Sequence, residues 1–244
     1  MPRFICYLIS PFIWLNFFVT TAVLALVQAV IVLLTFPLDP DRRLAHAQCY
    51  WWSDVMIRPN PFWSLKIEGR ERVDPRRTYV IVANHQSLGD IPVIYQTHLQ
   101  FKWVVKDSLF KVPPLGWCLS LCRHIRLRRG EASSIKQVYR EASDWLAKGM
   151  SVLFFPEGTR SRTGEVQEFQ NGAFKLAIKH KLPILPVSIG GTIDALPKHS
   201  WVFTTKVYCR IRILEPVETA LLQAGDFEKL REETRDRIIA SIQS

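Results

Sequence analysis

A chain of 244 residues is long enough for one α/β domain of about 200 residues and an appendage. Lysine and arginine outnumber the acidic residues 32 to 22, so the net charge is +10, which indicates an anionic partner such as nucleic acid or an acidic membrane surface. The five cysteines follow no recognisable pairing framework, which is typical of a reducing compartment. Cys118, Cys122 and His124 have no fourth ligand nearby, so we interpret the thiols as buried structural groups and expect no metal.

The N-terminal part of the chain carries a long apolar segment. Residues 4–38 contain no charged side chain, and about 20 apolar residues suffice to span a bilayer. The segment therefore predicts an apolar helical membrane anchor, either one long tilted span or two shorter helices in one leaflet. Arg42, Arg43 and Arg58 follow it, so a spanning anchor would leave the C-terminal part in the cytoplasm. This apolar N-terminus also argues against a nucleic-acid binder.

A secretory signal peptide is the alternative interpretation of the same segment, because Ala45-His46-Ala47 resembles a cleavage site. The apolar run is, however, much longer than the core of about 7 to 15 residues found in signal peptides. We expect the segment to be retained. The predicted organisation is a membrane-anchoring helical segment over residues 1–63, followed by an α/β domain over residues 64–244.

Regular elements follow in an order typical of an α/β domain. Residues 78–83 and 151–155 are short, apolar and rich in β-branched or aromatic side chains, which predicts two strands buried on both faces. Other patterns predict helices over residues 133–146, 173–180 and 228–242, and strands over residues 101–105, 184–189 and 206–214. In the last strand, apolar side chains alternate with polar ones, which indicates one exposed face.

The first motif, Asn84-His85-Gln86-Ser87-Leu88-Gly89-Asp90, follows the first buried strand. Ligands of open α/β sheets bind beyond the carboxyl ends of the strands, and histidine suits the removal of a hydroxyl proton at neutral pH. His85 is therefore the candidate general base. On one regular helix, His85 and Asp90 would lie about 140° apart, whereas a turn through Gly89 would bring the carboxylate back to the imidazole. Ser87 and Asp90 could also form a helix-capping box, and Ser87 remains open as a nucleophile.

The second motif, Phe155-Pro156-Glu157-Gly158-Thr159-Arg160, follows the second buried strand. The planar guanidinium of Arg160 can donate two parallel hydrogen bonds to a phosphate, and Gly158 allows a ligand to approach the backbone closely. Glu157 could accept a hydrogen bond from a glycerol hydroxyl, fix Arg160, or form only a salt bridge within the turn. Together the two motifs indicate acyl transfer to a phosphorylated alcohol.

These residues resemble four sequence blocks of the 1-acylglycerol-3-phosphate acyltransferases, also called lysophosphatidic acid acyltransferases. The two motifs are similar to the first and third blocks, and residues 183–187 are similar to the fourth. The second block is matched by Lys106, Leu109, Pro113, Gly116 and Trp117. The resemblance covers about residues 79–187, and the anchor and the length also look like bacterial members.

The resemblance implies a fold, a site and a reaction. The implied fold is a mixed α/β sheet flanked by helices. His85 would be the base and Asp90 its partner, while glycerol phosphate would be bound by Lys106, Glu157, Gly158, Thr159 and Arg160. The implied enzyme moves a fatty acyl group from acyl-CoA or acyl-carrier-protein to the sn-2 hydroxyl of 1-acylglycerol 3-phosphate, forming phosphatidic acid in phospholipid biosynthesis.

The same resemblance implies that the enzyme uses no cofactor besides the thioester co-substrate. Its partners would be the phospholipid bilayer, lysophosphatidic acid and the acyl donor, at the cell inner membrane with the catalytic domain facing the cytoplasm. The sequence departs from many members at Arg123, where glycine is common, and at Arg128, where an acidic residue precedes the arginine matched by Arg129. Two alternatives remain: acyl transfer to another lysophospholipid or lyso-aminolipid, and a non-catalytic membrane protein that binds acidic lipids.

Overall fold

The computed structural model describes residues 3–60, 63–196, 200–204 and 206–243. Its helices are α1 (Arg3–Thr35), α2 (Arg43–Ile57), α3 (Asp90–Tyr95), α4 (Leu115–Leu121), α5 (Ala132–Ala147), α6 (Gly172–His180) and α7 (Phe227–Gln243). Its strands are β1 (Trp63–Glu68), β2 (Val80–Ala83), β3 (Lys102–Lys106), β4 (Ile125–Leu127), β5 (Val152–Phe154), β6 (Ile184–Gly190) and β7 (Val207–Ile213). Short 3₁₀ turns lie between several of them.

The strands form one mixed sheet in the order β1-β7-β6-β2-β5-β3-β4. The five strands from β6 to β4 are parallel, whereas β7 runs antiparallel to β6 and pairs in parallel with β1. The predicted mixed sheet flanked by helices is therefore confirmed. Because five neighbouring strands share one direction, their carboxyl ends meet along one edge of the sheet, where ligands of open α/β sheets bind.

Both faces of the sheet are covered, and the alternation of side chains along β2 shows how. Ile81 packs in a core with α2 and α3, whereas Val80 and Val82 pack in a second core with α5, α6 and α7. Successive side chains of a strand point to opposite faces, so a continuous apolar run fits only a strand that is covered on both sides. This agrees with the interpretation of residues 78–83 as a doubly buried strand.

The apolar N-terminal segment forms one continuous helix, α1, rather than two. It packs against α2 and α4, yet many of its apolar side chains remain exposed, including Phe12 at 71% and Leu33 at 77%. By length and composition α1 could cross a membrane. In the next helix, α2, one tryptophan is buried and the other is exposed. Trp52 is buried and donates a hydrogen bond to Thr21 Oγ1 at 3.1 Å, whereas Trp51 is exposed.

The predicted elements agree with the observed ones to within about two residues at each end, and β7 shows the expected alternation. The sequence did not predict β1 or β4. Both lie at an outer edge of the sheet, and β4 is only three residues long. A strand that short carries too few positions for a period to be recognised. The division of the chain at residue 63 stays a prediction.

Candidate active site

The first motif turns sharply where β2 ends, and this turn joins His85 to Asp90. The Nδ1 atom of His85 lies 2.6 Å from Oδ2 of Asp90, which is completely buried and is the first residue of α3. A carboxylate accepts only, so Nδ1 carries the proton and donates it. This leaves Nε2 as the ring nitrogen that can take a proton from a substrate, which is the arrangement expected of a general base and its partner.

Four donors surround the Asp90 carboxylate. Besides the imidazole, Oδ2 accepts the main-chain N–H groups of Gln86 at 2.7 Å and Ser87 at 3.0 Å, and Oδ1 accepts the hydroxyl of Thr192. The bond from Ser87 N–H is only one half of the capping box considered above, because α3 has Gly89 as its N-cap residue and no side-chain cap bond, so the complete box is not formed. The Ser87 hydroxyl itself is buried and donates to the carbonyl of Leu196 at 3.1 Å, which engages it away from the imidazole.

Aromatic packing fixes the plane of the imidazole. The His85 ring stacks on Phe155, the residue just after β5, with centroids 3.9 Å apart and planes 11° apart. Phe155 in turn packs on Trp103 at 5.4 Å. The His85 side chain is 12% exposed, so a substrate can reach it although most of its surface is covered.

The second motif and the residue that follows it form hydrogen bonds with both the main-chain N–H and the carbonyl of His85. Oε1 of Glu157 accepts the His85 N–H at 2.7 Å, and the His85 carbonyl accepts the N–H of Ser161 at 2.8 Å. Oε2 of Glu157 accepts the N–H of Gln167 at 3.0 Å. Burial raises the pKa of Glu157 to about 7, although the N–H groups of Gln167 and His85, which donate to its carboxyl, act to lower the pKa. Glu157 therefore contacts the backbone of the base, and its expected contact with glycerol stays a prediction.

The cationic residues follow the next strands of the sheet. Arg160 lies beyond β5, the exposed Lys106 is the last residue of β3, and Arg129 lies just beyond β4. Burial, and after it the charge of Arg160, lower the pKa of Arg129, so both cations contribute to the positive potential at this edge of the sheet. Neighbouring cations favour an anion between them. Gly158 has a φ of 68°, a left-handed conformation that suits glycine, and Thr159 follows it in the same half-buried turn.

An apolar cavity of about 300 Å³ lies beside the first motif, at the lower end of the range for ligand pockets. Leu88 and Trp103 line it on the side of the site, Phe17 contributes from α1, and Cys49 and Cys122 line it deeper in the core. All five cysteines are buried free thiols. The sequence did not predict this cavity, because its walls come from segments that are distant along the chain.

At one edge of the sheet the structure thus holds a histidine base, three cations and an apolar cavity, an arrangement that fits an enzyme. The family model described as Acyltransferase matches residues 64–190, which is more than half of the chain and contains both motifs. The chain belongs to the acyltransferase family.

Comparison with curated proteins and a solved structure shows which acyltransferases the chain is similar to. A 1-acyl-sn-glycerol-3-phosphate acyltransferase of Arabidopsis thaliana, chloroplastic LPAT1, is 34% identical over 73% of this chain and 50% of its own length. A protein of the same name from Pseudomonas aeruginosa is 33% identical over 56% of this chain and 52% of its own length. The chain thus spans about half the length of these relatives.

The crystal structure of the 1-acyl-sn-glycerophosphate (LPA) acyltransferase PlsC from Thermotoga maritima is similar over the whole chain. Its TM-score is 0.86 at 27% sequence identity, and the match covers 100% of this chain and 97% of that one. Together these relatives confirm the family resemblance that the four sequence blocks indicated.

Proposed function

We propose that this protein transfers a fatty acyl group from acyl-CoA or acyl-carrier-protein to the sn-2 hydroxyl of 1-acylglycerol 3-phosphate, forming phosphatidic acid for phospholipid biosynthesis. One observation carries the proposal: the His85–Asp90 pair lies just beyond the end of β2, the neighbour of β5 in the sheet, and Arg160 lies six residues beyond the end of β5. A base and a candidate phosphate-binding cation therefore follow neighbouring strands at the same edge of the sheet. The names of the relatives support the same reaction.

In the proposed mechanism, Nε2 of His85 removes the hydroxyl proton of the acceptor while the oxygen attacks the thioester carbonyl. Asp90 keeps its hydrogen bond to Nδ1 and stabilises the imidazolium that forms. The carbon–sulfur bond then breaks, the acyl group stays on the acceptor oxygen, and the imidazolium returns its proton to the departing thiolate. The products are an ester and a free thiol, and no cofactor besides the thioester takes part.

The acceptor would bind with its phosphate at the cations and its apolar chain elsewhere. Arg160, Lys106 and Arg129 bind the phosphate in this proposal, since two guanidinium groups and an ammonium at neighbouring strand ends suit a dianion. The turn through Gly158 and Thr159 brings backbone close to the same phosphate. The apolar cavity beside Leu88 takes a fatty acyl chain, whose burial there is favourable.

The decisive experiment measures release of free thiol from an acyl thioester with and without 1-acylglycerol 3-phosphate. We expect release only with the acceptor, and a fall of about 10²- to 10⁴-fold in the His85→Ala protein, because the general base is removed. Competing acceptors without a phosphate, such as monoacylglycerol, should react poorly. A clear preference for such an acceptor would contradict the phosphate-directed part of the proposal, and absence of any turnover would favour a lipid-binding protein.

We further propose that α1 lies along the membrane surface with its exposed apolar face in one leaflet. A helix of 33 residues extends for about 50 Å, and hydrogen bonds tie much of its length to the rest of the protein. These bonds are Phe203 N–H to Ser10 Oγ at 2.8 Å, Trp14 Nε1–H to the Trp201 carbonyl at 2.7 Å, Trp52 Nε1–H to Thr21 Oγ1 at 3.1 Å, and Gln28 Nε2–H to the Ala45 carbonyl at 3.0 Å.

A spanning α1 would therefore draw these partners, including loop backbone, into the hydrocarbon core, where unpaired polar groups are costly. A helix in the interface avoids this cost. At the cell inner membrane, such a helix on the cytoplasmic leaflet would leave the catalytic edge on the side where the thioester donors are made. This orientation is part of the proposal.

Depth measurements can test the membrane arrangement. All five native cysteines are buried, so a single introduced cysteine can carry a nitroxide label. We expect similar, shallow depths for labels at Leu8, Leu15, Leu26 and Leu33, which are all exposed on α1. A label at Leu221, which is 93% exposed and lies outside α1, should stay in water. Central positions much deeper than both ends would instead demonstrate a spanning helix.

A further inference from the structure

The fourth sequence block, residues 183–187, has no role in the mechanism above, but β6 connects it to the catalytic pair. β6 ends at Gly190, and Gly191 follows with a φ of 82°. A Cβ atom at Gly191 would lie 1.9 Å from the carbonyl oxygen of Tyr208, so only glycine fits this turn. The turn delivers the next residue, Thr192, to the buried side of the first motif.

Thr192 is completely buried, and its hydroxyl donates to Oδ1 of Asp90. The same hydroxyl lies 3.3 Å from Oε1 of Gln86, but its single hydrogen favours the shorter bond to the charged acceptor. Oδ2 already accepts from the imidazole and from two main-chain N–H groups. Thr192 is thus the donor on the carboxylate oxygen that faces away from His85.

We propose that Thr192 is a positioning residue for acyl transfer, acting through Asp90 on the orientation and tautomer of His85. A carboxylate held on Oδ2 alone can rotate or draw in water, whereas a donor on each oxygen holds its plane. Among the described residues Thr192 is the donor to Oδ1 of Asp90, and a buried oxygen that loses its donor is costly, so the carboxylate of a variant would shift toward other donors. The fourth block then serves the reaction by placing this hydroxyl. The inference rests on the proposed acyl transfer.

Kinetics of Thr192→Val and Thr192→Ser test this role. Valine keeps the volume and removes the donor, so we expect kcat to fall by about 10- to 100-fold, the range expected for a lost charge-assisted hydrogen bond. KM for both substrates should change by less than about twofold, because Thr192 is completely buried and would act only through Asp90. Serine keeps the hydroxyl donor, so kcat of Thr192→Ser should stay within about threefold of that of the unmodified protein. A Thr192→Val protein with unchanged kcat would overturn the proposal.

Thr219→Val is a matched control, because the Thr219 hydroxyl is also buried but donates to the carbonyl of Leu182 at 2.8 Å. It should cost stability and leave kcat unchanged. Should Thr192→Val not fold, Thr192→Ala replaces it, since alanine leaves room for water. The proposal predicts that kcat of the alanine protein falls well below that of the serine protein, and equal values would overturn it.

A spectroscopic readout separates this inference from the proposed reaction. In ¹⁵N-histidine spectra, the unmodified and Thr192→Ser proteins should show His85 with its proton on Nδ1, assigned by comparison with His85→Ala. Thr192→Val should show a mixture of tautomers. An unchanged tautomer in Thr192→Val would contradict the positioning role. An unmodified protein without thioester turnover would contradict the proposed function while the tautomer result still reports on Thr192.

Discussion

Oε1 of Glu157 accepts the main-chain N–H of His85 at 2.7 Å, across 72 positions of sequence. The second motif therefore holds the backbone of the first. Glu157 uses its other oxygen for Gln167 N–H, so both oxygens of this buried carboxyl are engaged by the protein itself. The position of His85, just beyond β2, therefore depends on the turn that follows β5.

Replacing Glu157 by glutamine should uncouple the motifs. The amide offers one oxygen and one NH₂ group, so one of two main-chain N–H donors would face another donor. We expect the free energy of unfolding to fall by about 1–3 kcal/mol and kcat to fall by about tenfold. Glu168→Gln, at an exposed position nearby, should leave both unchanged. Unaltered stability and kcat in Glu157→Gln would show that the contact does not matter.

The pH dependence of stability offers a separate test of Glu157. Burial raises its pKa to about 7, so the folded protein holds this proton more tightly than the unfolded chain. The stabilisation is fully present below the unfolded pKa and is lost as the pH rises through about 7. Urea unfolding at about pH 5 and about pH 8.5 measures this effect. Between these two pH values, the free energy of unfolding of the unmodified protein should fall by about 1–3 kcal/mol more than that of Glu157→Gln, whose side chain cannot titrate. A difference independent of pH would contradict the raised pKa.

Asp90→Asn tests the partner of the base. Asparagine can turn its NH₂ group toward Nδ1, which favours the wrong imidazole tautomer, so we expect kcat to fall by about 10³- to 10⁴-fold. KM for the acceptor should change little, because Asp90 is completely buried and would act only through His85. Thiol-release kinetics measure both parameters. Asp236→Asn, on the exposed surface of α7, is the control, and a mild effect of Asp90→Asn on kcat would remove Asp90 from the catalytic pair.

Arg160→Lys tests the phosphate site. Lysine keeps the charge but cannot donate two parallel hydrogen bonds, so KM for the phosphorylated acceptor should rise by about tenfold or more. KM for the acyl donor should stay the same. Arg237→Lys, in an exposed ion pair with Glu233, is the matched control. A rise confined to the donor KM would assign Arg160 to the thioester instead of the acceptor.

Much of the fold and the position of the site could be predicted from local sequence. The apolar runs of β2 and β5 identify doubly buried strands, and each motif directly follows such a run. The turn from His85 to Asp90 also follows from local chemistry, since Gly89 stands between strand and helix and is the N-cap residue of α3. Such features depend on neighbours within a few positions, where composition and period carry the information.

Other parts of the site depend on contacts between distant segments. Thr192 reaches Asp90 across 102 positions, and its hydroxyl type carries no local signal that it will meet a carboxylate. Arg129 lies at the same edge of the sheet as Arg160 only because β4 runs parallel to β3 and β3 to β5, which the three residues of β4 do not reveal. Strand order is decided by packing and loop closure over the whole chain.

For the N-terminal helix, too, some properties follow from local composition and others from tertiary contacts. Its composition alone determined that residues 4–38 are an apolar segment suited to lipid, because that property adds up residue by residue. Its continuity as α1 and its packing along α2 and α4 were decided by tertiary structure. The sequence thus determined which residues can perform the chemistry, and only the folded sheet decided which of them meet, because hydrogen bonds such as that from His85 N–H to Glu157 join turns that follow strands made adjacent by folding.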